Sequence, residues 1–157
     1  MKSMTYRRIL VPFDGSRYSK KALDEAIRIA RMTDATIYLC TIANVGAVVP
    51  PGSLLGLVKS ASKGDLQRRL LKSAKIEAEK MEKSQLGYCK AKGVKAYYKL
   101  VINGNTSDEI LRAAKSKSVD LIVIGNQGLH GVSRIKSLGS VSRKVAEFAH
   151  CPVLIVR

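Results

Sequence analysis

Short apolar runs alternate with longer amphipathic segments along the chain, and this alternation limits the possible fold more than any other feature of the sequence. The runs at 7–13 and 35–42 consist mainly of apolar and β-branched residues, as is typical of strands buried on both faces of a sheet. Between them, behind a turn at 14–16, apolar residues recur at the spacing of one helix face. Such a strand–helix–strand unit has parallel strands and a right-handed connection.

The same alternation continues to the end of the chain. Residues 44–64 have neither period and are rich in glycine and proline, so a long loop is predicted there. The pattern predicts a single α/β domain over 1–157: a three-layer, doubly wound, five-stranded parallel sheet with helices on both faces. In such sheets, ligands bind at the carboxyl ends of the strands. The remaining predicted elements are a helix at 65–92, a strand at 94–102, a helix opened by a capping box at 106–109, a strand at 120–124, a helix at 140–149 and a strand at 151–156.

The charge balance favours anionic partners without choosing among them. The chain has 28 lysines and arginines against 12 acidic residues, and its formal net charge of +16 attracts phosphates, nucleic acid or acidic surfaces over a long range. Aromatic residues make up only 5% of the chain, and no helix-turn-helix, zinc-finger or RNA-stacking motif is recognisable. Sequence-independent binding of nucleic acid therefore ranks below binding of a small phosphorylated ligand.

Cysteine usage and hydropathy predict a cytoplasmic protein. Cys40, Cys89 and Cys151 are odd in number, widely spaced and surrounded by apolar residues, so a disulfide framework is not expected. Burial in strands predicts that the Cys40 and Cys151 thiols are inert. Residues 35–58 carry no charge, but the glycines and prolines of that stretch would break a membrane-spanning helix. Neither an export signal nor a membrane partner is expected.

The motifs of several common enzyme classes are missing from the sequence. It has neither a dinucleotide fingerprint nor a P-loop, and it lacks the Gly-x-Ser-x-Gly elbow of many hydrolases. The two histidines, with no Cys-x-x-Cys or His-Glu-x-x-His motif, argue against a zinc site built by the protein alone and against a Ser-His-Asp triad. We therefore expect a binding protein without catalytic residues.

A glycine-rich loop follows the predicted fourth strand. Gly125 and Gly128 lie at its start, and Gly139-Ser140 at its end opens the next predicted helix. Glycines let backbone N–H groups approach an anion, and the first turn of a helix offers free N–H groups and the positive end of the helix dipole. The loop therefore predicts a polyphosphate cradle, although a flexible loop ending in a serine-capped helix would explain the same residues. Because the turn at Asp14 also follows a strand, both segments should lie at the ligand edge of the sheet.

Three stretches of the sequence are distinctive when taken together: Ile9–Ser16, with the sequence Ile-Leu-Val-Pro-Phe-Asp-Gly-Ser, Asp120–Gly125, and the C-terminal stretch from Gly139 to Val156. In these stretches the sequence resembles the universal stress protein family. The likeness runs over nearly the whole chain. It implies a Rossmann-like fold with the strand order 3-2-1-4-5.

The glycine loop nearly fits the motif of the nucleotide-binding members of this family, which is Gly-x-x-Gly, nine residues, then Gly-Ser or Gly-Thr. Gly125 and Gly128 match its first half and Gly139-Ser140 its second, but the segment between them, Leu129–Leu138, has ten residues. One extra residue in a loop costs little entropy. A bound nucleotide with a modestly displaced phosphate cradle is therefore expected.

The resemblance also implies which residues hold the nucleotide. Asp14 would contact the nucleoside, because a carboxylate accepts hydrogen bonds from ribose or adenine but repels phosphate; the alternative is that Asp14 only caps the following helix. Thr41 would offer its backbone to adenine, and Pro12 would shape the pocket wall. His130 could reach the phosphates from the loop, or be a solvated bystander. The residues predicted to bind the nucleotide are Pro12, Asp14, Thr41, Gly125, Gly128, Gly139, Ser140, Val141 and Ser142.

The resemblance implies a regulatory protein that binds ATP, or ADP or AMP, with Mg²⁺ bridging the phosphates. At most slow hydrolysis is expected, because no general base is evident. A homodimer is expected through the C-terminal edge strand at 151–156, which would otherwise leave an open sheet edge before Arg157. The alternatives are a nucleotide-free dimeric scaffold and an electrostatic binder of nucleic acid or other polyanions. The protein partner stays unknown at this point.

Overall fold

Strands and helices alternate along the chain as the sequence pattern predicts. The structure is a computed structural model, and it describes residues 5–44, 63–128 and 137–157. The elements within these ranges are β1 Arg8–Pro12, α1 Arg17–Thr33, β2 Thr36–Ala43, α2 Lys63–Ala91, β3 Ala96–Ile102, α3 Thr106–Ser116, β4 Leu121–Gly125, α4 Ser140–Phe148 and β5 Val153–Val156.

The strands form one parallel sheet of five, in the order β3-β2-β1-β4-β5. This confirms the predicted doubly wound α/β fold and its strand order. The central strand β1 has β2 on one side and β4 on the other, so the chain winds outward in opposite directions from this point. The crevice beyond the carboxyl end of β1 is where such sheets bind ligands.

Helices cover both faces of the sheet, which makes the three predicted layers. Apolar residues of α1 and α2 pack on one face of the strands, and apolar residues of α3 and α4 pack on the other. β1 contributes to both cores because its successive side chains alternate: Ile9 and Val11 point to the first and Leu10 to the second. These three side chains are at most 1% exposed, which explains why the strand reads as a continuous apolar run.

Among the helix starts that the structure describes, those of α1 and α3 have a side-chain cap, and the cap of α3 corrects the sequence analysis. The Ser16 hydroxyl accepts a hydrogen bond from the N–H of Ser19 and caps α1. At α3 the cap is Asn105, whose side-chain oxygen accepts from the N–H of Asp108, so the predicted capping box starting at Thr106 is one residue out. Asparagine is as good an N-cap as serine or threonine, and Asn105, one residue before Thr106, is the N-cap in the structure.

The first residues of α2 and β5 differ from those that the sequence predicts. The predicted loop at 44–64 lies mostly outside the described residues, and α2 already begins at Lys63. β5 begins at Val153 because Pro152 has no N–H to donate to a strand ladder, although its carbonyl accepts from the N–H of Ile122. Within the ranges that the structure describes, no helix has both the length and the apolar composition needed to cross a membrane.

Candidate functional site

Two loops meet at the carboxyl edge of the sheet, one after β1 and one after β4. A Cβ atom on Gly128 would lie only 2.8 Å from Oδ2 of Asp14, so the aspartate carboxylate lies directly against the glycine backbone. The other carboxylate oxygen, Oδ1, accepts a hydrogen bond from the N–H of Ser16 at 2.9 Å. Asp14 therefore fixes the turn before α1, while Ser16 is the residue that caps this helix.

Hydrogen bonds at Asn126 tie the two ends of the glycine loop together. The Asn126 carbonyl accepts from the N–H of Gly139 at 2.9 Å and from the Ser142 hydroxyl at 3.0 Å. The Asn126 N–H in turn donates to the carbonyl of Val156, which anchors this junction to β5. The positions at 126 and 139 are therefore set by the fold. The extra residue of the loop, and His130 with it, lie at 129–136, outside the described residues.

The first turn of α4 is built differently from those of α1 and α3. Its N-cap is Gly139, which has no side chain to accept from the first N–H groups of the helix. Ser142, which is predicted to bind the nucleotide, is buried, and its hydroxyl lies within hydrogen-bonding distance of the carbonyls of Asn126 and Gly139. Ser140, by contrast, is exposed. Among the described residues, no side chain caps the first N–H groups of this turn. An anion suits these groups because the helix dipole is positive here.

Gly125 has a packing role that its place in the motif does not reveal. A Cβ atom there would lie 2.8 Å from the backbone carbon and the Cβ of Tyr18 in the first turn of α1. The absence of a side chain therefore lets α1 approach the end of β4. Contact of Gly125 with a nucleotide stays a prediction.

Thr41 lies at the β2 side of the crevice, but its hydroxyl is hydrogen-bonded within the protein and its backbone faces β3. Its hydroxyl donates to the carbonyl of Phe13 at 2.6 Å and accepts from the Tyr98 hydroxyl at 2.8 Å. The direction of the backbone follows from its neighbours: the Cys40 carbonyl bonds to Phe13 beyond β1, and the Ala43 carbonyl bonds to the β3 side. Because the direction alternates, the backbone of Thr41 faces β3, and Ile42 is the residue whose N–H and carbonyl face the gap beyond the end of β1.

Asn126 contributes a second feature that motif reasoning missed. The residue is only 5% exposed, and its side-chain oxygen has no hydrogen-bond donor among the described residues. A buried acceptor without a partner costs free energy, and such atoms are satisfied in most native proteins. Its place beside Gly139 suggests a donor supplied by water or a ligand. The sequence does not show that Asn126 is buried, so nothing there distinguishes it from an asparagine at the surface.

The thiols offer no alternative reactive site. Burial raises the pKa of the Cys40 and Cys89 thiols to about 11, and it also raises the pKa of Cys151. Thiols with such pKa values are protonated at neutral pH and are poor nucleophiles. All three cysteines are free, and Cys40 and Cys89 are buried. Among the described residues, no cluster of three His, Cys, Asp or Glu side chains could hold a metal ion.

Sequence comparison assigns the chain to a family. A model of the universal stress protein family matches residues 5–157. The chain belongs to this family. The universal stress protein YxiE of Bacillus subtilis is 38% identical over 154 residues, which cover 97% of this chain and 99% of YxiE. Universal stress protein MJ0531 of Methanocaldococcus jannaschii is also 38% identical, over 152 residues that cover 97% of this chain and 82% of that protein.

Solved universal stress proteins share the fold. The universal stress protein UspA from Lactobacillus plantarum superposes with a TM-score of 0.81 at 23% identity, covering 99% of this chain and 100% of that one. A universal stress protein solved in complex with cAMP superposes with a TM-score of 0.66 at 27% identity, covering 98% of each chain. The motif residues that suggested a universal stress protein thus lie in the fold that the family adopts.

Proposed function

We propose that this universal stress protein binds an adenine nucleotide in the crevice beyond β1 and β4 and acts as a regulatory binding module. The observation that carries the proposal is the contact between the Asp14 carboxylate and Gly128. Gly128 belongs to the glycine loop, and this loop ends at the N-terminus of α4, which has no side-chain cap. One end of the crevice is thus acidic and accepts hydrogen bonds, while the other donates them. The related universal stress protein with bound cAMP supports the choice of an adenine nucleotide.

The nucleoside belongs at the acidic end of this crevice. Asp14 accepts hydrogen bonds from ribose hydroxyls, and Ile42 offers one backbone N–H and one carbonyl to the adenine edge. Pro12, the last residue of β1, forms the wall between them. Adenine is preferred over guanine because the two bases present opposite donors and acceptors at the positions that would meet Ile42.

The phosphates belong at the N-terminus of α4. The backbone N–H groups of Ser140, Val141 and Ser142 form the first turn and have no side-chain cap. Gly139 and Gly128 keep the backbone near the phosphates free of side chains. Mg²⁺ would be held chiefly by phosphate oxygens and water, since the described residues supply no metal cluster.

We expect ligand binding rather than turnover to be the function of this site. Near the α4 N-terminus, the Ser142 hydroxyl is engaged by the carbonyls of Asn126 and Gly139 and is not free to activate water. The Asp14 carboxylate belongs to the nucleoside end of the crevice in this proposal, away from the phosphates. ATP hydrolysis should therefore be slow. A nucleotide that contacts both loops would change the surface offered to a protein partner, by favouring one arrangement of the crevice. We expect this to happen in the cytoplasm, where free thiols stay reduced.

Calorimetric titration with ATP, ADP, AMP and GTP tests this proposal. We expect saturable binding of at least one adenine nucleotide and weaker binding of GTP. Mass spectrometry of small molecules released from the purified, heat-denatured protein should identify a nucleotide that survives purification. Absence of heat and of any thermal shift at millimolar adenine nucleotide, with an intact circular dichroism spectrum, would contradict the proposal.

We also propose that β5 pairs with β5 of a second copy across a two-fold axis. β5 is an edge strand whose four residues are apolar and half-buried, whereas the opposite edge, β3, carries Lys99. An uncharged open edge favours pairing with another strand. The carbonyls of Pro152 and Val156 bond toward β4, so the polar backbone groups of the alternate residue Ile155 turn outward.

Ile155→Pro should therefore convert a dimer into a monomer, because proline removes an outward N–H without breaking the bonds to β4. Ile155→Ala is the matched control: it shortens the same side chain, keeps the N–H and should remain a dimer. Sedimentation velocity at micromolar concentration distinguishes the species. A monomeric wild-type protein, or a dimeric Ile155→Pro variant, would refute pairing through β5.

A further inference from the structure

The sheet face that carries α3 and α4 is open at its β3 edge. α3 packs over β1 and β2, and α4 packs over β5. β3 is the outermost strand on its side, and Tyr97, its second residue, keeps 49% of its surface exposed. Ala96 and Tyr98 pack into the opposite core. Because side chains alternate along a strand, Lys95, Tyr97 and Lys99 all project from the open face.

Two tyrosines form a pair of rings on this face. Tyr38 of β2 is the register partner of Tyr97, and their ring centroids lie 5.5 Å apart with 23° between the ring planes. Contact between offset rings restricts both side chains. Tyr38 is half-buried, so it supports the more exposed ring of Tyr97 from the side of the sheet centre. Tyr38 therefore covers one side of the Tyr97 ring, and the other side of that ring is held in place for a ligand before it arrives.

Lysines flank this ring pair on both sides along the strand. Lys95 and Lys99 lie two residues before and after Tyr97, and both are exposed. The Lys95 ammonium lies 5.4 Å from the centroid of the Tyr97 ring. Glu109 of α3 is the acidic group that acts on this side of β2, and it is already paired with Arg112. Interaction with the Tyr97 hydroxyl raises the pKa of the Lys95 ammonium. Among the described residues, neither Lys95 nor Lys99 is paired with a carboxylate, so both charges are available to a polyanion.

We infer that Tyr38, Tyr97, Lys95 and Lys99 form a binding surface for single-stranded nucleic acid, here called the tyrosine-lysine face. A base would stack on the Tyr97 ring, and the lysines would bind the phosphates on either side of it. Stacking on an exposed aromatic side chain tolerates any base, and a basic groove follows the backbone without reading sequence. The formal net charge of +16 increases the attraction at long range.

A second copy of the chain fits this surface less well than a polyanion does. Pairing of two β3 edges would bring Lys95 and Lys99 of both copies together, and lysines on an edge strand oppose such pairing. A small nucleotide is also a poorer occupant, because the face offers one ring and two separated charges rather than an enclosed pocket. The inference is independent of the proposed nucleotide site, which lies at the carboxyl edge of the sheet.

Fluorescence anisotropy with a labelled single-stranded DNA of about 12 nucleotides tests the inference on the full chain. Tyr97→Ala should weaken binding by about tenfold, because it removes the stacking surface. Tyr88→Ala is the matched control: Tyr88 is 39% exposed and has the Lys92 ammonium 5.6 Å from its ring, but it lies on α2, away from the face. The control should bind within about twofold of the wild type.

The charge contribution is measured separately through the salt dependence. Replacing both Lys95 and Lys99 with glutamine should reduce the slope of log affinity against log salt by about 1.4, since each phosphate contact on a single strand contributes about 0.7. A duplex of the same length should bind more weakly than the single strand and be insensitive to Tyr97→Ala, because its bases are not free to stack.

Three results would overturn the inference. The first is the absence of single-strand binding at about 50 mM salt, where phosphate contacts are strongest. The second is an equal effect of Tyr97→Ala and Tyr88→Ala, which would mean binding by net charge alone. The third is a loss of the dimer in sedimentation of Tyr97→Ala, which would assign the face to a second copy. Circular dichroism of each variant confirms that it folds.

Discussion

Replacing Gly128 with valine is expected to weaken adenine-nucleotide binding by about tenfold or more. The melting temperature should fall by no more than about 6 °C, the cost of losing a hydrogen bond such as that from the Ser16 N–H to Asp14. A side chain at 128 would begin 2.8 Å from Oδ2 of Asp14, which is closer than unbonded atoms can lie. The carboxylate must turn away, and it then loses its place at the nucleoside end of the crevice. Since the tip of an aspartate moves easily, the fold should survive. Calorimetry gives the affinity, and a thermal melt gives the stability.

A double-mutant cycle with Asp14→Ala separates this mechanism from a general disturbance of the loop. Asp14→Ala alone should also weaken binding about tenfold, by removing a charged hydrogen-bond acceptor. If the valine acts through the carboxylate, then adding Gly128→Val to Asp14→Ala should change the affinity little further. Fully additive losses, or normal affinity in the Gly128→Val variant, would mean that the two residues do not form one site.

Gly125→Ala is expected to destabilise the protein by about 1–3 kcal/mol, even without any nucleotide. The new methyl group would lie 2.8 Å from the Tyr18 backbone, so α1 must move away from β4 or the strand must bend. At about 2–4 °C per kcal/mol for a chain of this size, the melting temperature should fall by several degrees. Differential scanning calorimetry of the protein freed of nucleotide measures the change.

Gly87→Ala, the same substitution at another glycine, is expected to raise the melting temperature, whereas Gly125→Ala lowers it. Gly87 lies within α2, and no atom lies within 4 Å of the position that its Cβ would take. Alanine forms helices better than glycine by about 1 kcal/mol, so this variant should melt at a higher temperature than the wild type. Equal melting temperatures for Gly125→Ala and the wild type would show that Gly125 does not set the approach of α1 to β4.

The fold could be predicted because its signal is local and repeated. The strands of the sheet centre are rich in apolar and β-branched residues, and the helices show an apolar face, so element type follows from the sequence pattern. The errors lie at element ends, where neighbouring residues compete for one role. Asn105 and Thr106 both suit an N-cap, and only the packing of α3 decides between them.

The candidate site could be predicted in outline but not in detail. The motif locates Gly128 and Gly139 at the ligand edge. The list of predicted nucleotide-binding residues also includes Gly125, which makes room for α1, and Ser142, whose hydroxyl bonds to the Asn126 carbonyl at the base of the loop. Ile42 does not stand out because the direction of a backbone carbonyl depends on strand pairing. Burial and pairing are tertiary properties, and the sequence alone does not show them.

The tyrosine-lysine face shows the same limit more strongly. Tyr38 and Tyr97 are far apart along the chain, and nothing in either segment marks its tyrosine as exposed. The low aromatic content of 5% even argued against a stacking surface. Parallel pairing of β2 with β3 brings the rings into contact, and the position of α3 over β1 and β2 leaves the Tyr97 ring exposed. Two aromatic residues are enough when the fold makes them neighbours.

Amide NMR during an ATP titration reads the proposed nucleotide site directly. The largest shifts should occur at the N–H groups of Ser140 and Val141, where the phosphates bind, and at Ile42, where adenine binds. Amides in the buried part of α3, such as Ala113, should stay unchanged. Unmoved resonances at Ser140 and Ile42 in millimolar ATP, or the largest shifts at Tyr97, would contradict nucleotide binding between Asp14 and the N-terminus of α4.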